Sequence, residues 1–126
     1  MRLVIIESPY SDSQLSKVRD NQIYARAAMR DSLSRGEAPF ASHLLYTQVG
    51  VLDDYDPQER DLGIRLGYEW GRLASLHAFY TDFGWSPGML SALQRCRELE
   101  LDLEFRSLND HIQLPPNTDR PMEQPK

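Results

Sequence analysis

Two carboxylates stand at the ends of short apolar runs that have the character of buried strands. Glu7 follows the run at residues 3–6, and Asp82 comes just after the run at residues 76–80. Side chains at strand ends can reach a ligand, and a pair of carboxylates beside one sugar is what glycosidic chemistry uses for acid and base. We therefore predict Glu7 and Asp82 as catalytic residues, with a structural role for either as the alternative.

The tripeptide Ser8-Pro9-Tyr10 directly follows Glu7 and ends the first apolar run. We expect its side chains to enter the same crevice, where the Tyr10 ring could stack on a base or a ribose. Tyr10 is therefore both a catalytic and a ligand-binding candidate, and Ser8 and Pro9 are ligand-binding candidates. The alternative is an ordinary turn at the end of a strand.

The sequence Ser86-Pro87-Gly88-Met89 has the pattern of a helix start, with serine as the cap and proline at the first helical position. Free N–H groups and the helix dipole attract an anion to such a start, and Gly88 lets a ligand approach the backbone. We predict that Ser86, Gly88 and Met89 bind the ligand. The alternative is that Ser86 only caps the helix.

The elements that must position these residues alternate between strand and helix, which is typical of an α/β domain with a parallel sheet and right-handed crossovers. Apolar runs predict strands at residues 3–6, 40–48, 76–80 and 103–105. Periodic segments predict helices from about Asn21 to Gly36, from Pro57 and from Pro87. We expect the strand order 2-1-3-4. Ligands of such sheets bind where the first and third strands diverge, which selects the loops at residues 7–13 and 81–89.

Length and composition fit one domain followed by a tail. The chain has 126 residues, and four prolines stand among polar residues in its last part. We expect a domain at residues 1–108 and a flexible proline-rich tail at residues 109–126. The aromatic residues of the second predicted helix, Tyr68 and Trp70, favour a homodimer or a higher homo-oligomer.

Charge and cysteine content exclude several classes of protein. The formal net charge is −5 and only two lysines occur, so the chain lacks the basic stripe that binding to a nucleic-acid polymer requires. Cys96 is the single cysteine and cannot form an internal disulfide. The N-terminal apolar run is too short for a signal sequence or a membrane span, so we expect a cytoplasmic protein without membrane association.

No sequence pattern points to a metal or a cofactor, and we expect neither. Asp53, Asp54 and Asp56 form an acidic loop whose spacing matches no calcium loop. His43 falls in the predicted second strand, where a lone histidine is more often a core or rim residue than a ligand. The chain has no GxxxxGK, GxGxxG or GxSxG motif, so ATP hydrolysis, NAD-dependent hydride transfer and esterase chemistry lack support.

Several short motifs, taken in their order, resemble those of the nucleoside 2-deoxyribosyltransferase-like superfamily, and more closely a small branch of it found in bacteria and phages. They are Ser8-Pro9-Tyr10, Asn21, Gly36-Glu37-Ala38-Pro39-Phe40, Ser42-His43-Leu44-Leu45-Tyr46-Thr47, Leu52-Asp53-Asp54, Pro57-Gln58-Glu59-Arg60 with Gly63, and Ser86-Pro87-Gly88-Met89. The resemblance spans residues 1–108 and implies a Rossmann-like, flavodoxin-type three-layer fold with a four- to five-stranded sheet. It also implies a pocket for a nucleoside or nucleotide, and it adds Asn21 and His43 to the ligand-binding candidates.

In the transferases that this chain resembles, a glutamate in the third helix attacks the anomeric carbon of the sugar. An aspartate near the end of the third strand and a tyrosine after the first strand assist, and Asp82 and Tyr10 fit these positions. Ala92 stands where the glutamate belongs, about four residues after the glycine that matches Gly88. Because alanine cannot attack a sugar, the resemblance implies chemistry at the N-glycosidic bond without supplying a covalent nucleophile.

Different functions therefore compete. The first is an N-glycosidase, which is a hydrolase, or a deoxyribosyltransferase-like enzyme in which Glu7 or Asp82 activates water. The second is a protein that only binds, sequesters or senses a nucleotide, with a phosphate on the third helix start and Arg26, Arg60 or Arg106 as its partners. An interaction protein with a vestigial site is the third.

Overall fold

The computed structural model describes residues 1–108, which form a four-stranded sheet with helices on both faces. The strands are β1 (Leu3–Glu7), β2 (Ala38–Phe40), β3 (Leu76–Tyr80) and β4 (Leu103–Arg106). The helices are α1 (Leu15–Ser34), α2 (Ser42–Leu45), α3 (Pro57–Gly71) and α4 (Pro87–Glu98). The predicted proline-rich tail at residues 109–126 lies outside the described residues. Within the described part, no helix is long and apolar enough to cross a bilayer.

The strand order is β2-β1-β3-β4, and every neighbouring pair runs parallel. Ile5 in the central strand β1 pairs with Phe40 of β2 on one side and with His77 of β3 on the other. The chain moves from β1 outward to β2, and then past β1 to β3 and β4. Right-handed crossovers therefore place α1 on one face and both α3 and α4 on the other. The predicted α/β, Rossmann-like fold with the order 2-1-3-4 is confirmed.

Alternation along the two central strands decides which side chains face which helices. Val4 and Ile6 of β1 join Tyr24 and Ala28 of α1 in one buried core. On the opposite face, Phe79 of β3 packs in a second core with residues of α4. Because Glu7 follows Ile6 by one residue, its side chain belongs to the face that α3 and α4 cover.

The starts of α3 and α4 lie where the sequence predicts them. The Asp56 side chain accepts a hydrogen bond from the backbone N–H of Gln58 at 3.0 Å, and proline follows the cap. The Ser86 hydroxyl accepts one from the backbone N–H of Met89 at 3.2 Å, again with proline next. Helix α1 begins at Leu15, earlier than the predicted start near Asn21. No sequence signal marks this start, because the first turns are polar and lack a side-chain cap.

The predicted second strand at residues 40–48 is wrong in most of its length. Strand β2 comprises only Ala38–Phe40, and Ser42–Leu45 form the short helix α2. Strand β2 lies at the edge of the sheet, where Pro39 is tolerated because no neighbouring strand needs the N–H that proline lacks. The apolar residues that suggested a longer strand serve a helix instead, and Leu44 packs against the core on the α1 face. His43 accordingly lies in α2.

A buried ionic network ties the end of β4 to the start of β2. Arg106 donates two hydrogen bonds to the two oxygens of Glu37, each at 2.8 Å, and these side chains are 1% and 3% exposed. Glu37 also accepts hydrogen bonds from Ser32 at 2.8 Å and from Arg2 at 2.6 Å. These partners, Arg106 foremost, lower the pKa of Glu37 to about 2.

Candidate functional site

A cavity of about 420 Å³ opens on the α3–α4 side of the sheet, at the carboxyl ends of β1 and β3. Its floor is the sheet itself, through Ile5, Glu7 and His77, and its walls come from α2, α3 and α4. The volume lies within the range of small-molecule sites. The position is the switch point of the sheet, where ligands of parallel α/β proteins bind.

The structure brings most of the predicted site residues together around this cavity. Those that line it are Glu7, Ser8, Tyr10, His43, Ser86, Gly88 and Met89. Pro9, Asn21 and Asp82 are not among its described lining residues, and each of them is buried elsewhere. The end of β1 with the loop that follows it, the short helix α2 and the start of α4 therefore supply the predicted residues that line the cavity, in the neighbourhood that the strand order predicts.

Glu7 is the acidic group on the cavity floor. Among residues 1–108 its carboxyl has no hydrogen-bond or ion-pair partner, and burial raises its pKa to about 8. Its charge raises the pKa of Tyr68 in α3 and of Cys96 in α4, after the larger effect of burial on each, and all three residues line the cavity. A carboxyl with this pKa is mostly protonated at neutral pH and can donate a proton to a bound molecule.

Ser8 and His43 form a pair beside Glu7. The Ser8 hydroxyl oxygen lies 2.7 Å from His43 Nε2, which joins the end of β1 to α2. Burial lowers the pKa of His43 to about 4, so its imidazole is neutral at physiological pH. The rings of Tyr10 and His43 meet edge to face, with their centroids 6.0 Å apart, and both residues line this side of the cavity. The pair offers a neutral hydrogen-bonding surface to a ligand.

Tyr10 is held in place from α1. The side-chain amide of Asn21 donates to the Tyr10 carbonyl oxygen at 2.8 Å, and that of Gln22 donates to the Tyr10 hydroxyl at 3.0 Å. Asn21 is fully buried, so its role is to position the Tyr10 backbone. Asn21 was predicted to bind the ligand, but in the structure it supports Tyr10, which lines the cavity.

Asp82 lies on the α1 side of the sheet and is 6% exposed. Its carboxylate accepts hydrogen bonds from the Tyr24 hydroxyl at 2.7 Å, from the Ser107 hydroxyl at 2.6 Å and from the Leu108 backbone N–H at 2.7 Å. These contacts join the loop after β3 to α1 and to the segment after β4. We therefore assign Asp82 to the stability of the fold.

Asp82→Asn is expected to lower the free energy of unfolding by about 2 to 4 kcal/mol, because an amide offers one acceptor oxygen where three donors converge. Urea denaturation followed by circular dichroism measures this loss. Tyr24→Phe removes one donor to this carboxylate and also the acceptor of the Asp82 backbone N–H at 2.8 Å, so it should cost about 2 to 3 kcal/mol. A wild-type midpoint for Asp82→Asn would contradict the structural assignment.

Three segments meet at the mouth of the cavity through residues that the sequence did not single out for this role. Asp54 Oδ2 accepts hydrogen bonds from the Ser11 hydroxyl at 2.7 Å and from Arg60 at 3.1 Å, and Arg60 also contacts Ser11. We call these three residues the mouth clasp. Two of the arginines predicted to bind a phosphate are paired with carboxylates in the structure. Arg60 pairs with Asp54 in the mouth clasp, and Arg106 pairs with Glu37 in the buried ionic network.

The pKa shifts of three groups predict how stability depends on pH. Glu7 has a pKa of about 8 against 4.5 for an ordinary glutamate, so its contribution is lost as the pH rises from 4.5 to 8. His43 has a pKa of about 4 against 6.5, so its contribution is lost as the pH falls from 6.5. Glu37, with a pKa of about 2, adds a further loss below pH 4.5. Between pH 4.5 and 6.5, the titration of Glu7 lowers stability as the pH rises and that of His43 raises it, so the two effects oppose each other.

The free energy of unfolding is therefore expected to form a plateau between about pH 4.5 and 6.5 and to fall on both sides of it. Chemical denaturation at unit pH intervals measures this profile. Glu7→Gln should remove both the alkaline decline and the plateau, because the slope of His43 is then uncompensated, so that stability rises up to about pH 6.5 and stays level above it. A stability maximum above pH 8 would contradict the burial of a protonated Glu7.

The fold and the cavity define an α/β protein with a parallel sheet of order 2-1-3-4 and a small-molecule-sized cavity at its switch point. The chain belongs to the family described as Domain of unknown function (DUF7768), whose profile matches residues 2–106. No curated protein matches the sequence.

Among solved structures, the chain is similar to a 2-deoxyribosyltransferase from the psychrotolerant bacterium Bacillus psychrosaccharolyticus. The sequence identity is 18%, the match covers 88% of this chain and 76% of that one, and the TM-score is 0.56. This likeness shows a shared fold, and it confirms the resemblance stated from the sequence at the level of a distant fold relationship.

Proposed function

We propose that this protein binds a nucleoside or nucleotide in the cavity and breaks or transfers its N-glycosidic bond, with Glu7 as the proton donor. One observation carries the proposal, which is an unpaired carboxyl with a pKa of about 8 on the floor of a cavity at the switch point. The fold that this chain shares with a 2-deoxyribosyltransferase supports the same class of substrate. Tyr10 and the Ser8–His43 pair are the proposed ligand contacts on the β1 side.

The chemistry needs an acid because a nucleobase is a poor leaving group until a ring nitrogen is protonated. Glu7 gives its proton to that nitrogen, the bond between C1′ and the base breaks, and its electron pair goes to the base. The sugar carbon is left as an oxocarbenium ion. Water then adds to C1′ and returns a proton to the Glu7 carboxylate, so that free base and free sugar leave and the acid is restored. A second base in place of water gives transfer.

The helix wall of the cavity explains why the proposal uses no covalent intermediate. Ala92 lines the cavity on α4 and presents only a methyl group. Glu7 lines the same cavity from the sheet. Asp54 and Glu59 also line the cavity, but Asp54 is engaged in the mouth clasp and Glu59 accepts the backbone N–H of Asp53 at 3.3 Å. Glu7 is therefore the carboxyl in the cavity lining that is available for proton transfer.

Base release from a panel of purine and pyrimidine nucleosides and their 5′-monophosphates tests the proposal directly. The purified protein is incubated with each compound, and the products are separated by chromatography while the melting temperature is followed in parallel samples. We expect free base to accumulate with at least one compound. A rise in melting temperature with every ligand recovered intact would instead make the protein a nucleotide binder.

A further inference from the structure

One wall of the cavity carries hydrogen-bond donors that no described residue uses. Arg95 of α4 lines the cavity, and its guanidinium carbon lies 4.5 Å from the centre of the Tyr68 ring. Ser91 lies four residues earlier, one turn along the same helix face, and also lines the cavity. Within residues 1–108, the side chains of Arg95, Ser91 and Tyr68 make no hydrogen bond to another protein group.

Arg95 differs from the other arginines in its surroundings. Six arginines in the described part of the chain have a carboxylate within 4.0 Å, namely Arg2, Arg35, Arg60, Arg65, Arg72 and Arg106. Arg95 has none, although it is half-buried in the cavity wall while the remaining unpaired arginines are exposed. Taking a charge partly out of water is unfavourable unless an opposite charge compensates it. The aromatic face of Tyr68 orients the guanidinium but leaves its charge unbalanced.

We propose that Arg95, together with the hydroxyls of Ser91 and Tyr68, binds the phosphate group of the ligand, so that the substrates are nucleoside monophosphates and not nucleosides. This inference rests on the proposed function, because it specifies the substrate class of the same cavity. A guanidinium presents a planar fork of N–H groups that matches two phosphate oxygens, and hydroxyl groups are common additional donors to such an anion.

The position of this anion subsite also fits the chemistry proposed for Glu7. Glu7, Tyr68 and Arg95 all line the cavity, and the pKa of Tyr68 responds to both charges, since Glu7 raises it and Arg95 lowers it after the larger effect of burial. A phosphate bound on Arg95 would bring negative charge into the cavity that Glu7 also lines. Since a nearby like charge disfavours ionisation, a phosphorylated ligand would keep Glu7 protonated in the complex.

Calorimetric titration with a nucleoside and its 5′-monophosphate tests the anion subsite, and Arg97 supplies a matched control. Arg97 stands two residues further along α4, is exposed and lies outside the cavity lining. We expect the wild type to bind the monophosphate at least about tenfold more tightly than the nucleoside. Arg95→Gln should abolish that preference, and Arg97→Gln, which removes the same charge, should keep it. Inorganic phosphate should compete weakly with the monophosphate in the wild type and not in Arg95→Gln.

Several results would overturn the subsite. They are equal affinity of the wild type for both compounds, an equal loss in Arg95→Gln and Arg97→Gln, and a phosphate effect that survives Arg95→Gln. Where Arg95→Gln fails to fold, Ser91→Ala and Arg95→Lys replace it, and each should reduce the preference in part. A preference that depends on Arg95 without any base release would leave the subsite standing and remove the proposed catalysis, so the two failures are distinguishable.

Discussion

Glu7→Gln is expected to lower the rate of base release by about 10²- to 10⁴-fold, because the amide fills the same space and cannot donate an acidic proton. The wild-type rate should fall as the pH rises through about 8, where the Glu7 carboxyl loses its proton. Base release by chromatography, measured with the best compound of the panel between pH 5 and pH 9, gives both results. Residual activity of the variant should lack this alkaline decline.

Two controls separate catalysis from general damage. Glu98→Gln makes the same chemical change at an exposed position at the end of α4, where the side chain only accepts from Gln94, and it should retain the wild-type rate. Asp82→Asn, assayed well below its melting temperature, should also keep its rate per folded molecule. A full rate for Glu7→Gln, together with a large loss for Asp82→Asn, would move the chemistry to the other carboxylate and refute our assignment.

Arg106→Ala is expected to cost about 3 to 5 kcal/mol of unfolding free energy, because it leaves Glu37 buried without its main partner. A loss of that size is a large share of the stability of a small domain. Urea denaturation measures it when the variant still folds. Glu37→Gln breaks the same pair from the other side and leaves the buried Arg106 with the half-exposed Glu104 as its carboxylate partner, so it should also be strongly destabilising.

Arg65→Ala is the matched control for this loss. Arg65 pairs with Asp61 at 3.1 Å across one helical turn, and the two side chains are 65% and 69% exposed. Exposed pairs of this kind contribute less than about 1 kcal/mol. Similar losses for Arg106→Ala and Arg65→Ala would show that burial of the Arg106–Glu37 pair has no energetic weight.

The strands and helices that are most accurately predicted are those with a local signal. Strand β3 is an apolar run interrupted by His77, and α3 and α4 begin with a cap followed by proline, so neighbouring residues alone specify them. The region from β2 to α2 has no such signal. Its apolar residues fit either a strand or a helix, and only their contact with the α1 core decides between the two.

The different fates of Glu7 and Asp82 show what strand ends alone leave undecided. Both follow apolar runs, but alternation puts Glu7 with Ile5 on the cavity face and would put Asp82 with Tyr80 on the α1 face. That parity was available in the sequence once the two faces had been distinguished. Arg95 was not among the arginines predicted from the sequence as phosphate partners, because its missing carboxylate partner is a fact of the three-dimensional packing.

The mouth clasp has a consequence for how long a bound molecule stays. The side chains of Arg60 and Asp54 are 43% and 22% exposed, so dissolved ions screen their attraction, whereas the floor around Glu7 is shielded from them. Residence times should therefore shorten as ionic strength rises, while the rate of bond breaking in the occupied cavity stays constant. If release of the product limits turnover, added salt will speed this protein up.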